Sequence, residues 1–530
     1  MKINAKHILF IAIILSLIII PKIAFSTNDL HDSFNYSNSA LAQTAINEEK
    51  MELYPYENAG NSINRHANGW SVRWVVTSSI ASLSLVTGLS PRDLQSLPIC
   101  AIGILIMAYL VASKLTKNWK LASLYCVMIA FDPTVNSLTN GTYIQGWGFI
   151  FYFMLIYVAM VIVEKKYYLA LSKNKEHYEP FLMYGALAAC ALMMMHFSYY
   201  SALIYAAILL SVVASCIFFV NSNKTLNSKH VFMFITCMAI AFIALYFVED
   251  SIRFAISNYQ GPLSKFFTYA EDVFVTGGAR FCVGLLSYIF IFIPITILGL
   301  KWLRLFIKKR KIPMMKWEDI FVSSFLLTGV INIIIYAGLG FVDFKYFIMF
   351  FSLSALYAIS RIKLPKFDLA HRIPRKLPIK QVFTMILVFL FVMKFAVYFA
   401  PINNSIDEKT EEQWIADYCL YPGTESISDI RVSGEIMLLH TERGNSIFNS
   451  FVYSTNYLTR LTSGNATQFL VVNGKITYLI MNEENIDGHF SIGNWEAWSS
   501  SESVTEIVGN YQFIQKIYAS PKISVWHISI

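Results

Sequence analysis

Long apolar runs recur along this chain and constrain its fold more than any other feature. From the N-terminus to Pro401, hydrophobic stretches of spanning length alternate with polar connections. A helix of about 20 apolar residues crosses the hydrocarbon core of a bilayer, and many such runs in one chain are typical of membrane bundles. Hydrophobic residues make up 56% of the chain and charged residues 14%, far from the averages of soluble domains. The sequence therefore predicts an α-helical polytopic membrane protein.

Basic clusters predict how these spans are oriented. Lys and Arg concentrate in the connections at residues 114–120, 165–175, 301–316 and 361–380. Cytoplasmic loops of membrane proteins carry such an excess of cations. If all four connections are cytoplasmic, each intervening run crosses once, which gives about eleven spans, a cytoplasmic N-terminus and an extracytoplasmic C-terminus. The net charge of +8 is then topological and does not indicate nucleic-acid binding.

Composition divides the chain into four predicted segments. Residues 1–25 form a first transmembrane helix or signal anchor, with a cleaved signal peptide as the alternative. Residues 26–93 form an outer loop that contains a helix on the membrane surface at 70–89. Residues 94–401 form the transmembrane bundle. Residues 402–530 form an extracytoplasmic α/β domain, with strands expected at 436–440, 468–473, 475–481, 513–519 and 522–529 and helices at 411–419 and 447–460.

Two carboxylates just after the first apolar run are candidate catalytic groups. Asp29 and Asp32 are three residues apart, so on a helical turn they would share a face, with His31 beside them. A carboxylate at the membrane surface can take a proton from an acceptor nucleophile. The same pair is also typical of a helix cap or of the solvated start of a loop.

Cations near the predicted surface helix are candidate ligands for a lipid phosphate. Arg65 and His66 precede this helix, and Arg73 lies in its first turn between Trp70 and Trp74. Guanidinium groups bind phosphate through paired hydrogen bonds. The alternative is a belt of interfacial Trp residues with an Arg that reaches towards water.

Further candidates lie where predicted spans reach the outer face. Asp132 and His196 each follow a span, and helix termination or interface packing is the alternative explanation for both. Lys345 opens a late span beside Asp343, and it either pairs with that carboxylate or binds a phosphate. Lys394 is the one clearly intramembrane charge, which makes it a functional suspect unless its stem reaches the surface.

In order and local pattern, the chain resembles the GT-C superfamily of membrane glycosyltransferases. The resemblance lies in a first span, an acidic outer loop, a surface helix, two further spans, a late span with a cation at its outer start, and a soluble tail. The motifs that carry it are Asn28-Asp29-Leu30-His31-Asp32, Gly88-Leu89-Ser90-Pro91, Phe131-Asp132-Pro133, Asp343-Phe344-Lys345-Tyr346 and Trp414-Ile415-Ala416-Asp417.

The resemblance implies an outer-face transferase that takes a sugar from a polyprenyl phosphate or diphosphate. Asp32, or failing that Asp29, would be the catalytic carboxylate, and a divalent metal would bind these two acids in some members. The acceptor would be a glycan, a lipid or a protein, and the partners would include membrane lipid. The residues expected at the lipid phosphate are Arg65, His66, Arg73 and Lys345.

Two other functions stay open at this point. A catalytically inactive GT-C-like protein would bind a partner or glycan through its outer domain. A transporter or flippase would need a polar path through the bundle, yet no Asp or Glu lies near a predicted midplane. In the tail, only Asp429 and Gly434 match the WWDYG motif of oligosaccharyltransferases, so recognition of glycosylation sequons is not supported.

Overall fold

The computed structural model describes part of the chain in detail. These residues are 33–49, 74–97, 99–132, 144–172, 175–198, 200–221, 286–304, 316–339, 344–361, 379–398, 425–428, 449–452, 476–482, 490–492, 495–497, 512–520 and 523–529, together with isolated helical positions. The chain forms two compact units. The bundle unit comprises Met1–Ile20, Cys100–Thr139 and Gln145–Ala400, and the loop–sheet unit comprises Pro21–Ile99, Asn140–Ile144 and Pro401–Ile530.

Three helices of the loop–sheet unit come from the predicted outer loop. They are α1 (Ser33–Asn47), α2 (Trp74–Thr87) and α3 (Pro91–Ser96), and each packs against the other two. Helix α2 confirms a helix within the predicted range 70–89, and its placement on the membrane surface stays a prediction. It ends where Gly88 adopts a left-handed φ of 73°, a conformation that glycine reaches without steric cost.

Nine helices of the bundle unit lie in the described residues. They are α4 (Ile99–Thr116), α5 (Trp119–Phe131), α6 (Ile144–Glu164), α7 (Tyr178–His196), α8 (Tyr200–Asn221), α9 (Leu286–Arg304), α10 (Trp317–Leu339), α11 (Phe344–Arg361) and α12 (Ile379–Tyr398). Two short 3-10 segments, Tyr167–Ser172 and Lys175–His177, connect α6 to α7.

Several of these helices are long and apolar enough to span a bilayer. Within the described part of the chain there are four, at Gly146–Glu164, Tyr178–His196, Leu286–Arg304 and in the stretch Pro91–Thr116, to which α4 contributes most residues. Shorter apolar helices occur at Trp119–Phe131, Tyr205–Ile217 and Gln381–Met393. The molecule is thus a polytopic helical membrane protein. The expected total of about eleven spans stays a prediction.

Aromatic side chains join the helices at the centre of the bundle unit. The ring centroids of Tyr125 on α5 and Phe153 on α6 are 6.4 Å apart, and Phe350 on α11 lies 6.1 Å from Tyr152 and 5.4 Å from Phe325. Such pairs add to the free energy of apolar burial. The hydroxyl of Tyr125 also donates a hydrogen bond of 3.0 Å to a backbone carbonyl of α11. Helices α5, α6, α10 and α11 therefore share one core.

The tail contains a five-stranded mixed sheet and a separate hairpin. The strands are β1 (Glu425–Ser428), β2 (Asn449–Val452), β3 (Ile476–Asn482), β4 (Phe490–Ile492), β5 (Trp495–Ala497), β6 (Ile514–Ala519) and β7 (Ile523–Ile528). The sheet order is β2-β1-β3-β7-β6, and β4 pairs with β5. Strand β1 is parallel to β2 and β3, whereas β7 is antiparallel to β3 and β6.

The predicted strands and helices of this tail have mixed outcomes. Strands β3, β6 and β7 confirm the strand predictions at 475–481, 513–519 and 522–529 to within a residue. The strands expected at 436–440 and 468–473 lie outside the described residues, apart from Leu439, whose backbone is helical. The helix expected at 447–460 is wrong over its first part, because Asn449–Val452 is strand β2. There the backbone pairs with β1, a partner distant in sequence that local helix preference does not reveal. The boundaries of the four predicted segments stay predictions.

Candidate functional site

Most of the predicted catalytic and phosphate-binding residues lie outside the described residues. These are Asp29, Asp32, Arg65, His66, Arg73 and Asp343. Helix α1 begins at Ser33, directly after Asp32 in the sequence. The three packed helices α1, α2 and α3 therefore form the described part of the outer loop that carries the proposed acids.

Small and polar side chains let α1 approach the other two helices closely. Asn38, Ser39, Ala40 and Ala42 on α1 are buried. The Ser39 hydroxyl donates a hydrogen bond of 3.4 Å to the carbonyl of Pro91, at the start of α3. This contact lies seven residues after Asp32, which is about two helical turns, so the segment that follows the proposed acid is anchored to α3.

The turn between α2 and α3 is held by local hydrogen bonds. The Ser84 hydroxyl donates to the Leu89 carbonyl at 2.6 Å, and the Gly88 amide donates to the Ser84 carbonyl at 2.8 Å. Ser90 and Asp93 form a capping box: the Asp93 amide donates to the Ser90 hydroxyl oxygen, and the Ser90 amide donates to the Asp93 carboxylate. These bonds satisfy helix-end donors and fix the start of α3.

Arg92, in the first turn of α3, is a cation that the sequence interpretation missed. Its side chain is half-buried, and its Nε and Nη2 atoms are fully buried. The segment Ser90-Pro91-Arg92-Asp93 lies at the end of the predicted outer loop, after the helix predicted at 70–89. Its Ser-x-x-Asp spacing with Pro at the first helical position is a helix-start signal, and that signal would have revealed α3 and placed this guanidinium on it.

Ion pairs bring four helix ends of the bundle unit together. Lys114 at the end of α4 binds Glu164 at the end of α6, with a distance of 2.6 Å between Nζ and Oε2. Glu318 in the first turn of α10 binds Lys117 at 2.7 Å and Arg361 of α11 at 3.6 Å. We call this side of the unit the charged end. It comprises these four helix ends and the described edges of the basic connections 114–120, 165–175, 301–316 and 361–380, which the sequence predicts to share one membrane face.

Three of the predicted outer-face residues lie at the opposite end of the bundle unit. Helix α5 begins and α11 ends at the charged end, so Asp132 after α5 and Lys345 at the start of α11 are both far from it. Helix α7 begins beside the connection that follows α6, since the rings of Tyr167 and Tyr184 stack at 5.7 Å. It then runs about 28 Å to His196.

The local environments of these residues differ. Asp132 is fully buried where α5 ends. The His196 ring is partly buried and contacts Phe197 edge to face, with 5.0 Å between ring centroids. The backbones at Lys345 and Lys394 are helical, and their side chains are outside the described part of the structure. Their predicted roles, and the convergence of all these groups on one pocket, stay predictions.

Among the residues that the structure describes, no group of three or more His, Cys, Asp or Glu side chains is arranged to hold a metal ion. The predicted metal ligands, Asp29 and Asp32, are not among those residues. A divalent metal at these two acids therefore stays a prediction.

Comparison with known proteins finds similarity at the level of structure. Neither a family model nor a curated protein matches the sequence. The crystal structure of the Archaeoglobus fulgidus oligosaccharyltransferase in complex with Zn and sulfate superposes with a TM-score of 0.52 at 12% identity, covering 90% of this chain and 68% of the other. For the apo form the TM-score is 0.53 at 10% identity, and the coverage is 90% and 69%.

A third structure is similar over almost its whole length. The crystal structure of ArnT from Cupriavidus metallidurans bound to undecaprenyl phosphate has a TM-score of 0.49 at 9% identity, and the match covers 99% of this chain and 98% of the other. At these identities the archaeal matches are evidence of fold, and they extend over most of the chain. The chain therefore has the fold of the archaeal oligosaccharyltransferase.

Proposed function

We propose that this protein is a membrane glycosyltransferase that moves a sugar from a polyprenyl phosphate or diphosphate to an acceptor on the outer face of the membrane. The observation that carries the proposal is the fold shared with an oligosaccharyltransferase over 90% of the chain. The acceptor is a glycan, a lipid or a protein. Asp32 is the proposed base, and Asp29 is the second candidate.

The described part of the outer loop supports a positioned carboxylate. Asp32 immediately precedes α1, and α1 is anchored to α3 by the bond from Ser39 to Pro91. Helix α3 packs against α2, and the turn between them is held by the bonds of Ser84 to Leu89 and Gly88. A catalytic group works best on a rigid support, because small displacements from the reactive geometry cost large factors in rate.

The proposed reaction is a single displacement with inversion. The Asp32 carboxylate takes the proton of an acceptor hydroxyl, and the acceptor oxygen attacks the anomeric carbon of the donor sugar. The bond from that carbon to the donor phosphate oxygen breaks, and its electron pair stays on the phosphate. Cations stabilise the charge that develops there by several kcal/mol. The proposed cations are Arg65, His66, Arg73 and Lys345.

The proposal is tested with the full-length protein reconstituted in vesicles that contain polyprenyl-linked sugars extracted from the source membranes. Asp32→Asn removes the base without changing side-chain volume, and turnover is expected to fall by about 100-fold or more. Asp29→Asn is assayed in parallel. Transfer is measured by chromatography as loss of the polyprenyl-linked sugar and release of the polyprenyl phosphate or diphosphate.

A matched control is available in the same loop. Glu48→Gln changes another outer-loop carboxylate, which is exposed just after the end of α1. It is expected to leave both stability and turnover close to those of the wild type. Wild-type turnover in both Asp29→Asn and Asp32→Asn would contradict the assignment of the base.

A further inference from the structure

The charged end of the bundle unit has an inner layer in which acids are paired with protein groups. The Glu318 side chain is only 2% exposed and binds Lys117 and Arg361. Asp319 accepts hydrogen bonds from the Tyr357 hydroxyl at 2.6 Å and from the Lys316 amide at 3.2 Å. Apart from the bond of Glu318 to Lys117, these carboxylates are paired with groups of the inner layer.

An outer layer of the same end is rich in exposed ammonium groups. Lys117 is 62% exposed although it reaches Glu318. The other exposed lysines described at this end are Lys120, Lys165, Lys166, Lys301 and Lys316. Glu176 and Glu179, beside the start of α7, are the exposed acids among the described residues of this end. The surface that water and lipid meet is therefore net positive.

Two of these lysines occupy backbone positions that lysine does not favour. Lys117 follows α4 with a φ of 53°, and Lys166 lies two residues after α6 with a φ of 57°. Left-handed residues after a helix are usually Gly or Asn, because other side chains are strained there. A lysine at each of these positions puts an ammonium group directly after an apolar helix.

Tryptophan side chains place the outer layer at the depth of lipid headgroups. Trp317 opens α10 with the Lys114 and Lys117 ammonium groups 5.6 and 5.7 Å from its ring centroid. Trp119 opens α5, and the Lys120 ammonium lies 5.7 Å from its ring. Trp is enriched where the apolar core of a membrane meets the headgroups, and each of these residues begins an apolar helix.

We propose that the charged end binds the phosphates of anionic phospholipids through its exposed lysines. The occupant is a membrane lipid, since the cations surround the starts and ends of apolar helices at the depth that Trp marks. Lys166 is the most informative residue to substitute, because glycine can replace it at a φ of 57° without backbone strain. The proposal is independent of glycosyl transfer, whose proposed base Asp32 belongs to the loop–sheet unit.

The test titrates short-chain phosphatidylglycerol into the full-length protein in neutral detergent and counts bound lipids by native mass spectrometry. Phosphatidylcholine with the same chains is the neutral arm, and inorganic phosphate is the free-anion arm. We expect phosphatidylglycerol to bind more tightly than phosphatidylcholine and to weaken as salt rises. Lys166→Gly is expected to weaken its binding about fivefold, and Lys165→Gln with Lys166→Gly about 25-fold.

Two control variants separate charge from fold. Lys166→Arg keeps the cation in the same backbone position and should bind phosphatidylglycerol as the wild type does. Lys516→Gln removes an exposed lysine from β6, in the loop–sheet unit, and should also leave binding unchanged. Equal binding of the two lipids, wild-type affinity in the double variant, or complete displacement of the lipid by inorganic phosphate would each overturn the proposal.

Discussion

At the scale of single residues, the backbone at Lys166 allows charge and strain to be separated. Its φ of 57° lies in the left-handed region, where a side chain with a Cβ is disfavoured and glycine is not. We expect Lys166→Gly to leave the stability of the folded protein unchanged or to raise it by up to about 1 kcal/mol. Thermal unfolding in detergent measures this difference.

Lys165 is the matched control for this prediction. It is also exposed and basic, but it is not among the described residues with a positive φ. Glycine at that position adds backbone entropy to the unfolded chain without relieving strain, so Lys165→Gly should cost about 0.5–1 kcal/mol. Equal destabilisation by both substitutions would show that the left-handed geometry at Lys166 carries no strain.

Residue types and spacing revealed candidate groups, but not how they are arranged. Asp132 and His196 were singled out from their positions after apolar runs, and the structure places both at the end of the bundle unit far from the charged end. Arg92 was missed because its helix has only six residues and shows no apolar period. Whether such groups share a pocket depends on tertiary packing, which spacing along a chain does not encode.

At the scale of elements, sequence signals worked where structure is set locally. Helix α2 was predicted from the apolar run at 70–89. In the structure it ends before Gly88, whose φ is left-handed, and Pro91 begins the next helix. Strand β2 was predicted to be helical because its hydrogen-bond partner β1 lies more than 20 residues earlier in the chain. A short stretch of sequence does not show that its backbone pairs with a parallel strand elsewhere in the chain.

Contact between α10 and α11 supplies a prediction at this scale. A Cβ built on Gly329 of α10 would lie 2.7 Å from Cε2 and 2.9 Å from Cζ of the Phe351 ring on α11. That ring packs in a core where a shift displaces neighbouring side chains. Gly329→Ala is therefore expected to lower the free energy of unfolding by about 1–3 kcal/mol.

Gly299 of α9 is the control for that substitution, since a Cβ built there meets no atom within 4 Å. Gly299→Ala should leave stability unchanged or raise it by up to about 1 kcal/mol, because alanine favours the helix. Both variants are compared by thermal unfolding of the purified protein. Equal stability of Gly329→Ala and Gly299→Ala would mean that α10 and α11 can separate without cost.

At the scale of the whole molecule, the distribution of Lys and Arg predicted which helix ends lie on the same side of the bundle unit. The four basic connections were assigned to one face from composition, and ion pairs join their edges in the structure. The segments assigned to the other face also cluster: Pro21–Ile99 and Pro401–Ile530 belong to one compact unit. Charge asymmetry is readable from sequence because it acts during membrane insertion, segment by segment.

This topology predicts opposite labelling of two exposed lysines after substitution by cysteine. Lys120 lies at the charged end, assigned to the cytoplasm, and Lys516 lies in the tail, assigned to the outside. In intact cells a membrane-impermeant maleimide should modify Lys516→Cys at once and Lys120→Cys only after the membrane is opened. The wild type, whose seven cysteines include the exposed Cys190 and Cys419 in the polar tail, gives the background labelling that is subtracted. Labelling of Lys120→Cys in intact cells would invert the topology, and the carboxylate of Asp32 would then face the wrong side of the membrane for an outer-face reaction.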